Sequence, residues 1–301
     1  MLEIKNLTKC FGETKAINDL SLSIEEGGVF GLVGSNGAGK STLLRLLAGI
    51  YKPDSGTVSY SGEGVWENPK VKRKTAFVAD ELYLPPSHSI NTMATLYKAA
   101  YEGFDTERLA SLTEALKLNP RASFNSFSKG MRRQAATLLA LCTTPDYLLL
   151  DETFDGLDIV MRGFVKQIIF DDIARRGTTV ILSSHSLKEL EDCCDRLALL
   201  HEGSVVLDSN ATDLKNSYFK VQIAFDEYYG EERFAHLEIQ SLKISGKVAS
   251  FIIKGNKAET EEMLKAMNPI LLDVLPLSLE EVFVCALSAL GYEYGDTLIK
   301  N

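Results

Sequence analysis

The chain has 301 residues, of which 45 % are hydrophobic and 24 % are charged, a composition that excludes collagen-like and wholly disordered proteins. Its net charge of −9 argues against a nucleic-acid partner, because nucleic-acid-binding surfaces are usually basic. The five cysteines form neither a C-x-x-C pair nor a zinc spacing, so we expect reduced thiols of the cytosol rather than a disulfide framework.

Membrane signals are missing from the sequence. The first residues, Met1–Lys5, have no apolar segment of the kind that a signal peptide needs. No apolar run approaches the roughly 20 residues that span a bilayer. If the protein acts at a membrane, we expect another subunit to provide the span.

The chain begins with predicted strands. Apolar residues alternate in Leu2–Ile4 and again in Leu20–Ile24, which indicates half-buried strands. The continuous apolar run Val29–Val33 follows and indicates a buried strand.

A P-loop pattern comes directly after that buried strand, and leucines at helical spacing follow it. The residues predicted to contact a nucleoside triphosphate are Gly34, Ser35, Asn36, Gly37, Ala38, Gly39, Lys40, Ser41 and Thr42. The glycines let backbone N–H groups surround phosphate oxygens at a helix N-terminus. Lys40 is expected to reach the β- and γ-phosphates, and Ser41 to ligate Mg²⁺. A glycine turn without a ligand is the alternative, which the flanking strand and helix disfavour.

Strands and then helices are predicted in the next part of the chain. Ser55–Gly62 and Thr75–Ala79 read as strands, and the acidic pair Asp80 and Glu81 follows the second of them. From Ile90 to Leu118 the pattern becomes helical.

A second phosphate-binding device is predicted near residue 128. Ser128 is a candidate N-cap of a helix that runs to Cys142, with Pro145 beyond its end. A capped helix start in a short glycine-containing segment favours anions. By itself a capped helix start is common and carries little information.

An apolar strand that ends in two acids follows this helix. Tyr147–Leu150 leads into Asp151 and Glu152, which is a Walker B pattern. Asp151 is expected to hold Mg²⁺ directly or through water, and Glu152 to orient the water that attacks the γ-phosphate. A strand that merely ends in exposed acids is the alternative.

The strands alternate with helices as far as a final predicted hairpin. Thr178–Leu182 reads as a strand that leads into Ser183-Ser184-His185, and Leu197–Leu207 reads as a hairpin. This alternation predicts an α/β fold with a parallel sheet and crossover helices.

In this order the motifs resemble those of the ATP-binding subunits of ABC transporters, over residues 1 to about 215. The family signature is close to Leu-Ser-Gly-Gly-Gln, and Phe127, Lys129 and Met131 replace its Leu, a Gly and its Gln. The resemblance implies a P-loop NTPase sheet with an antiparallel β-subdomain and a helical subdomain. It also implies a head-to-tail dimer, in which Ser128 and Gly130 bind the ATP held by the partner's P-loop.

The resemblance implies further site residues. Asp158 lies in a segment that looks like the family's D-loop, Asp155-Gly156-Leu157-Asp158, although Thr153-Phe154 replaces the usual Pro-Thr lead-in. His185 matches the switch histidine, which would hydrogen-bond the γ-phosphate. Phe11 matches the aromatic residue that stacks on adenine. An ordinary surface histidine and a packed aromatic ring are the alternatives.

The position where the family carries a glutamine differs in this chain. Asp80 is aligned with it, and Glu81 is the competing register. A carboxylate is a harder Mg²⁺ ligand than an amide, so the metal role could survive. Solvated acids without a role are the alternative.

Two domains are expected. Residues 1–215 would form the ATP-binding domain, with a helical subdomain at about 86–145 that receives the permease in this family. Residues 216–301 would form a small α+β appendage, with strands at 219–225 and 248–253 and helices at 259–267 and 279–290. Its segment Pro276–Phe283 resembles the tails of subunits paired with exporter-type permeases.

The resemblance therefore predicts an ATPase that powers a separate integral-membrane permease, in the direction of export. ATP and Mg²⁺ would be its cofactors, with Glu152, His185 and Lys40 catalytic and with Ser41, Asp80 and Asp151 as metal ligands. The second ATP-binding subunit would be an identical or a different chain. The protein would lie in the cytoplasm at the inner face of the cell membrane. A regulatory ATPase of the same family without a transport role is the alternative.

Overall fold

The computed structural model describes residues 1–155 and 157–289. The chain divides into two compact units, residues 1–208 and 209–301. The boundary expected from the sequence lies seven residues later, at 215/216, and that assignment stays a prediction. Gly156 of the predicted D-loop and the end of the predicted appendage lie outside the described residues.

Strands and helices alternate in the first part of the chain. The strands are β1 (Leu2–Phe11), β2 (Thr14–Ile24), β3 (Val29–Val33), β4 (Ser55–Tyr60), β5 (Glu63–Gly64), β6 (Thr75–Val78), β7 (Tyr147–Asp151), β8 (Thr179–Ser184), β9 (Arg196–His201) and β10 (Ser204–Asn210). The helices are α1 (Lys40–Leu47), α2 (Pro69–Lys72), α3 (Ile90–Ala100), α4 (Thr106–Ala115), α5 (Lys129–Leu141), α6 (Ile159–Arg176) and α7 (Leu187–Glu191).

A six-stranded sheet forms the centre of the first unit. Its strand order is β10-β9-β3-β8-β7-β6, and the pairs β3–β8, β3–β9, β6–β7 and β7–β8 are parallel. The register places Val33 beside Ser184 and Asp151 beside Ser183. The P-loop, the Walker B acids and His185 therefore follow strands that end at one edge of the sheet, where ligands bind in such folds.

A second sheet of the first unit is antiparallel. Its order is β2-β1-β4-β5, with Ile4 opposite Leu22 on one side and Val58 on the other. These three side chains are buried in one cluster with the leucines of α1. Helix α1, which carries the end of the P-loop, is thus held by the cores of both sheets.

Capped helices form the segment between β6 and β7. Ser89 caps α3 through Thr92, Asp105 caps α4 and Ser128 caps α5 through Met131. The expected N-cap role of Ser128 is confirmed. Helix α5 contributes a buried face that includes Leu138 and Leu141.

The second unit is built on an antiparallel sheet of its own. Its elements are α8 (Ala211–Asn216), β11 (Tyr218–Ala224), β12 (Ile239–Ser245), β13 (Val248–Lys254), α9 (Lys257–Ala266), β14 (Leu271–Pro276) and α10 (Leu279–Ala289). The strand order is β12-β13-β11-β14. A separate core collects aromatic and aliphatic side chains, including Phe219 of β11, Phe251 of β13 and Phe234 of the 3-10 turn Glu231–Phe234.

The α/β fold class expected from the sequence is confirmed. In the second unit, the strands β12 and β14 were not expected, and both lie at edges of its sheet. Edge strands lack one neighbour, so their apolar side chains need not alternate cleanly between core and solvent; Leu271 and Leu275 of β14 are exposed. Among the described residues, no helix is both long and apolar enough to cross a membrane.

Candidate functional site

The P-loop encloses its own lysine. Lys40 begins α1, and its Nζ donates to the carbonyl oxygens of Gly34 at 2.6 Å and Ser35 at 3.3 Å. The same Nζ lies 3.3 Å from Oε1 of Glu152. Only 6 % of Lys40 is exposed, and a buried ammonium is stable when it is paired and hydrogen-bonded in this way.

Glycine is required at one position of this loop. Gly39 precedes α1 with a φ of +106°, a conformation that L side chains rarely adopt. A Cβ on Gly39 would lie 2.5 Å from the carbonyl oxygen of Ala16. The loop can therefore approach β2 this closely only if the residue at position 39 has no side chain.

Two hydroxyl groups meet at the Walker B aspartate. Ser41 Oγ donates to Asp151 Oδ1 at 3.1 Å, and Ser183 Oγ donates to the same oxygen at 2.7 Å. Asp151 is fully buried, and its Oδ2 has no hydrogen-bond partner among the residues that the structure describes. A buried carboxylate oxygen without a donor, next to a serine hydroxyl, fits a hard cation such as Mg²⁺, which prefers oxygen ligands.

Glu152 is held at both its backbone and its carboxylate. Its N–H donates to Ser183 Oγ at 3.1 Å, and its φ of +46° is unusual for a residue with a side chain. Oε2 accepts from the N–H of His185 at 3.3 Å and lies 2.9 Å from His185 Nδ1. The carboxylate therefore lies between Lys40 and His185, where it can accept a proton from a water molecule.

The turn after Glu152 is held by two arginines. Nη1 of Arg133 donates to the carbonyl oxygens of Asp151 at 3.3 Å and Glu152 at 3.1 Å. Nη2 of Arg162 donates to the carbonyl oxygen of Phe154 at 3.4 Å, and the Phe154 side chain is buried. These contacts fix the turn without the proline that the family usually carries there.

Asp80 lies at the cleft, but an arginine binds it. Its Oδ1 accepts from Nη2 of Arg133 at 2.8 Å. Asp80 lines the same cleft as the P-loop, whereas the competing candidate, Glu81, is exposed and does not line it. The role of Asp80 as a Mg²⁺ ligand stays a prediction.

A cleft of about 340 Å³ gathers most of the predicted site. Its lining residues are Ala16, Ser35, Asn36, Gly37, Ala38, Gly39, Lys40, Ser41, Thr42, Asp80, Glu152, Asp155 and His185. Backbone N–H groups and a lysine on one side, and carboxylates with a histidine on the other, suit a phosphate chain that is to be hydrolysed.

Six predicted site residues do not line this cleft. Two of them, Gly34 and Asp151, are buried and bond Lys40 and Ser41, which do line it. The other four are Phe11, Ser128, Gly130 and Asp158. Phe11 is 47 % exposed, with its ring edge-on to Tyr51 at 5.5 Å. Ser128 is exposed and Gly130 is half-buried at the start of α5. Asp158 caps α6 by accepting from the N–H of Met161 at 2.9 Å. Their proposed contacts with nucleotide stay predictions.

Three polar residues of the site were not predicted from the sequence. Ser183 hydrogen-bonds both acids, Arg133 bonds the chain around Glu152, and Asp155 lines the cleft. One sequence feature could have indicated Arg133. It lies on the apolar face of α5, at helical spacing from the buried Thr137 and Ala140. Such a cation usually extends to solvent, so the pattern alone did not mark it.

A thiol pair lies shortly after α7, the helix that follows His185. The sulfur atoms of Cys193 and Cys194 are 3.9 Å apart. The hydrogen bond with Cys193, together with burial, raises the pKa of Cys194 well above its ordinary value. Cys194 is thus a neutral thiol that packs in the interior.

Comparisons with known proteins agree with this geometry. Residues 17–155 match a family model described as ABC transporter. The ABC transporter ATP-binding protein YtrB of Bacillus subtilis (strain 168) is 31 % identical over 286 residues, which cover 94 % of this chain and 97 % of that protein. The Nod factor export ATP-binding protein I of Cupriavidus pinatubonensis is 31 % identical, over 77 % of this chain and 72 % of that one.

A solved structure shares the fold. The dimeric structure of MJ0796, a bacterial ABC transporter cassette, matches with a TM-score of 0.64 at 23 % identity, covering 70 % of this chain and 99 % of that one. Together with the full-length similarity to YtrB, the cleft and its motifs lead to one assignment. The chain belongs to the ATP-binding proteins of the ABC transporter family, and it is an ATPase.

Proposed function

We propose that this ATPase powers transport, in the direction of export, by a separate integral-membrane permease. In the proposed cycle, ATP binding closes a dimer of ATP-binding subunits, and hydrolysis opens it again. One observation carries the hydrolysis step of this proposal: the carboxylate of Glu152 lies between Lys40 Nζ at 3.3 Å and His185 Nδ1 at 2.9 Å.

Glu152 is the proposed catalytic base. Its carboxylate accepts a proton from the attacking water, and His185 holds the carboxylate in place and contacts the γ-phosphate. Lys40 transfers from Glu152 to the β- and γ-phosphates when ATP binds, because both compete for one ammonium group. Positioned general bases of this kind contribute about 10²–10⁴-fold in rate.

Mg²⁺ would be held by Ser41 and Asp151. The unpartnered Oδ2 of Asp151 and the Ser41 hydroxyl beside it supply hard oxygen donors. When bound, the metal neutralises charge on the phosphates. Asp80 lines the same cleft and is the third proposed ligand, directly or through water.

The site is proposed to be completed by a second subunit. Ser128, Gly130 and Asp158 lie outside the cleft of their own chain, and Ser128 and Asp158 are exposed at helix starts, where backbone N–H groups attract phosphate. One chain carries both halves of such a composite site, which supports a homodimer. A heterodimer with a related chain is the other arrangement that the test below distinguishes.

The permease, the direction and the location are proposed from the relatives. One of them is named as a Nod factor export protein, which supports export. We place the chain in the cytoplasm, on the inner face of the cell membrane, with the permease contacting the helices between β6 and β7. The transported substrate is left open.

The oligomeric state of Glu152→Gln tests the dimer. We expect light scattering to show a monomer without nucleotide and a dimer with ATP and Mg²⁺. The side-chain amide of the variant cannot act as a base, so ATP is not hydrolysed and the closed dimer persists. Adding Lys40→Ala to the same variant should abolish the shift, since phosphate contacts are lost. ATP binding without dimerisation would require a different chain as partner, and unchanged ATPase activity would refute Glu152 as the base.

Fractionation of cells tests the transport role. A subunit bound to a permease should sediment with membranes and be released by alkaline carbonate, which strips peripheral proteins. Complete recovery in the soluble fraction, with ATPase activity intact, would instead favour a regulatory ATPase without a permease.

A further inference from the structure

We propose that Arg133 is a positioning residue for hydrolysis, and that Asp80 is its charge partner. The pair connects the loop after β6, the helix α5 that follows Ser128, and the backbone of Glu152. The inference rests on the proposed role of Glu152 as the base and adds the groups that hold it in place.

Arg133 is a buried cation that needs a counter-ion. It is only 1 % exposed, and burying a guanidinium is costly unless it is paired and hydrogen-bonded. The ion pair with Asp80 Oδ1, at 2.8 Å from Nη2, supplies the negative charge. Within the described part of the chain, Nε of Arg133 has no hydrogen-bond partner, and the contacts of the side chain are made by its two terminal nitrogens.

The two nitrogens bind groups of different kinds. Nη2 binds the Asp80 carboxylate, while Nη1 donates to the carbonyl oxygens of Asp151 and Glu152. Arginine suits this arrangement because its planar fork presents several donors in fixed directions. A lysine would carry the same charge but would lack the planar set of donors that can bind both groups.

The two carbonyl groups flank the α-carbon of Glu152. The oxygen of Asp151 belongs to the peptide plane before it, and the oxygen of Glu152 to the plane after it. Fixing both planes fixes φ and ψ of Glu152, whose φ of +46° is unfavourable for a residue with a side chain. Arg133 therefore stabilises the backbone conformation that aims the Glu152 carboxylate at Lys40 and His185.

The pair also accounts for the acid at position 80. An amide there would hydrogen-bond Arg133 but would leave its buried charge without a counter-ion. Asp80 lines the nucleotide cleft, and the guanidinium group of Arg133 bonds both Asp80 and the Glu152 backbone. A displacement of Asp80 in the cleft would therefore also move the Glu152 backbone. Asp80 and Arg133 are thus expected to act as a unit in hydrolysis.

A double-mutant cycle tests this coupling. We expect Asp80→Asn and Arg133→Gln each to lower kcat about tenfold, with KM for ATP changed less than about twofold, because the base is misaligned while the P-loop is intact. The double variant should be no slower than the slower single variant, since both changes break one connection. Arg133→Lys should be about as slow as Arg133→Gln, because it keeps the charge and loses the fork.

Two checks separate positioning from loss of folding. ATP binding to each variant, measured by equilibrium titration with a fluorescent ATP analogue, should match that of the unchanged chain. Arg108→Gln is the matched control, because Arg108 pairs with the buried Asp172 at 2.8 Å and donates to a backbone carbonyl, of Leu141, away from the cleft. This control should keep its kcat.

Three outcomes would overturn the inference. Independent losses that multiply in the double variant would show that the residues act separately. A higher Mg²⁺ requirement of Asp80→Asn at unchanged kcat would leave Asp80 only the metal role proposed above and would exclude it as the charge partner of Arg133 in hydrolysis. Full activity of Arg133→Gln would exclude a positioning role. Full activity of Glu152→Gln would refute the proposed base itself, and that result is distinct from a failed coupling.

Discussion

At the scale of single residues, one hydroxyl group orders both Walker B acids. Ser183 Oγ donates to Asp151 and accepts from the N–H of Glu152, and the residue is 1 % exposed. A hydroxyl group is suited to this place because it donates and accepts at once. Strand β8 therefore supplies a side chain that aligns the end of strand β7.

Replacing this hydroxyl tests its contribution. We expect Ser183→Ala to lower the free energy of unfolding by about 1–3 kcal/mol, because it leaves the buried N–H of Glu152 without an acceptor. Guanidinium unfolding measures the change. Ser111→Ala is the matched control; Ser111 is exposed on α4 and donates to the carbonyl oxygen of Glu107 in its own helix, so it should change stability by less than about 0.5 kcal/mol. Equal stability of the two variants would contradict this account.

The residues that the sequence revealed are those within contiguous motifs. The P-loop and the pair Asp151 and Glu152 can be recognised from the sequence, because predicted strands and helices lie next to them in the chain. The contacts of Arg133 with Asp80 and Glu152 join segments 53 and 19 residues apart. No local pattern encodes such a contact, so only the fold brings it into view.

At the scale of elements, helix starts carry much of the proposed chemistry. Helix α1 starts in the P-loop, α5 at Ser128 and α6 at Asp158. The sequence predicted the cap of α5 because serine before a helical run has a local cause. It did not predict the edge strand β14, whose placement depends on pairing with β11, far away in the sequence.

Alanine substitutions at two serine N-caps distinguish an effect on stability from an effect on dimer assembly. Ser128→Ala and Ser89→Ala each remove a cap, and we expect each to lower stability by about 1 kcal/mol. Only Ser128→Ala should weaken the ATP-dependent dimerisation of Glu152→Gln, because the proposed composite site uses α5 and not α3. Light scattering across ATP concentrations measures the difference. Equal dimerisation of both variants would exclude Ser128 from the interface.

At the scale of the whole molecule, each unit has its own hydrophobic core. The first core joins β1, α1 and the central sheet, and the second consists of residues between Phe219 and Leu264. The expectation of an appendage with strands and helices came from a change of pattern near residue 216. Its function was not encoded in any motif, and we propose a role in dimer contacts or regulation.

A core substitution in the second unit tests that role. Phe251→Ala removes a ring that is 1 % exposed and should cost about 3–5 kcal/mol in the stability of that unit. We expect ATP affinity to be unchanged, because the cleft belongs to the first unit, and we expect the ATPase rate or dimerisation to fall. Tyr228→Ala, at a residue that is 79 % exposed, is the control. Normal dimerisation and ATPase activity of an unfolded second unit would remove the proposed role.

The ammonium group of Lys40 has a carboxylate and two carbonyl oxygens around it. An arriving anion must replace these oxygens together, against the negative charge of Glu152. A single phosphate has too few oxygens to contact the lysine and the whole loop at once, whereas a triphosphate extends along it. A ligand that enters the loop therefore has to replace three oxygen contacts of one ammonium group, and a chain of several phosphates can offer several oxygens for that exchange.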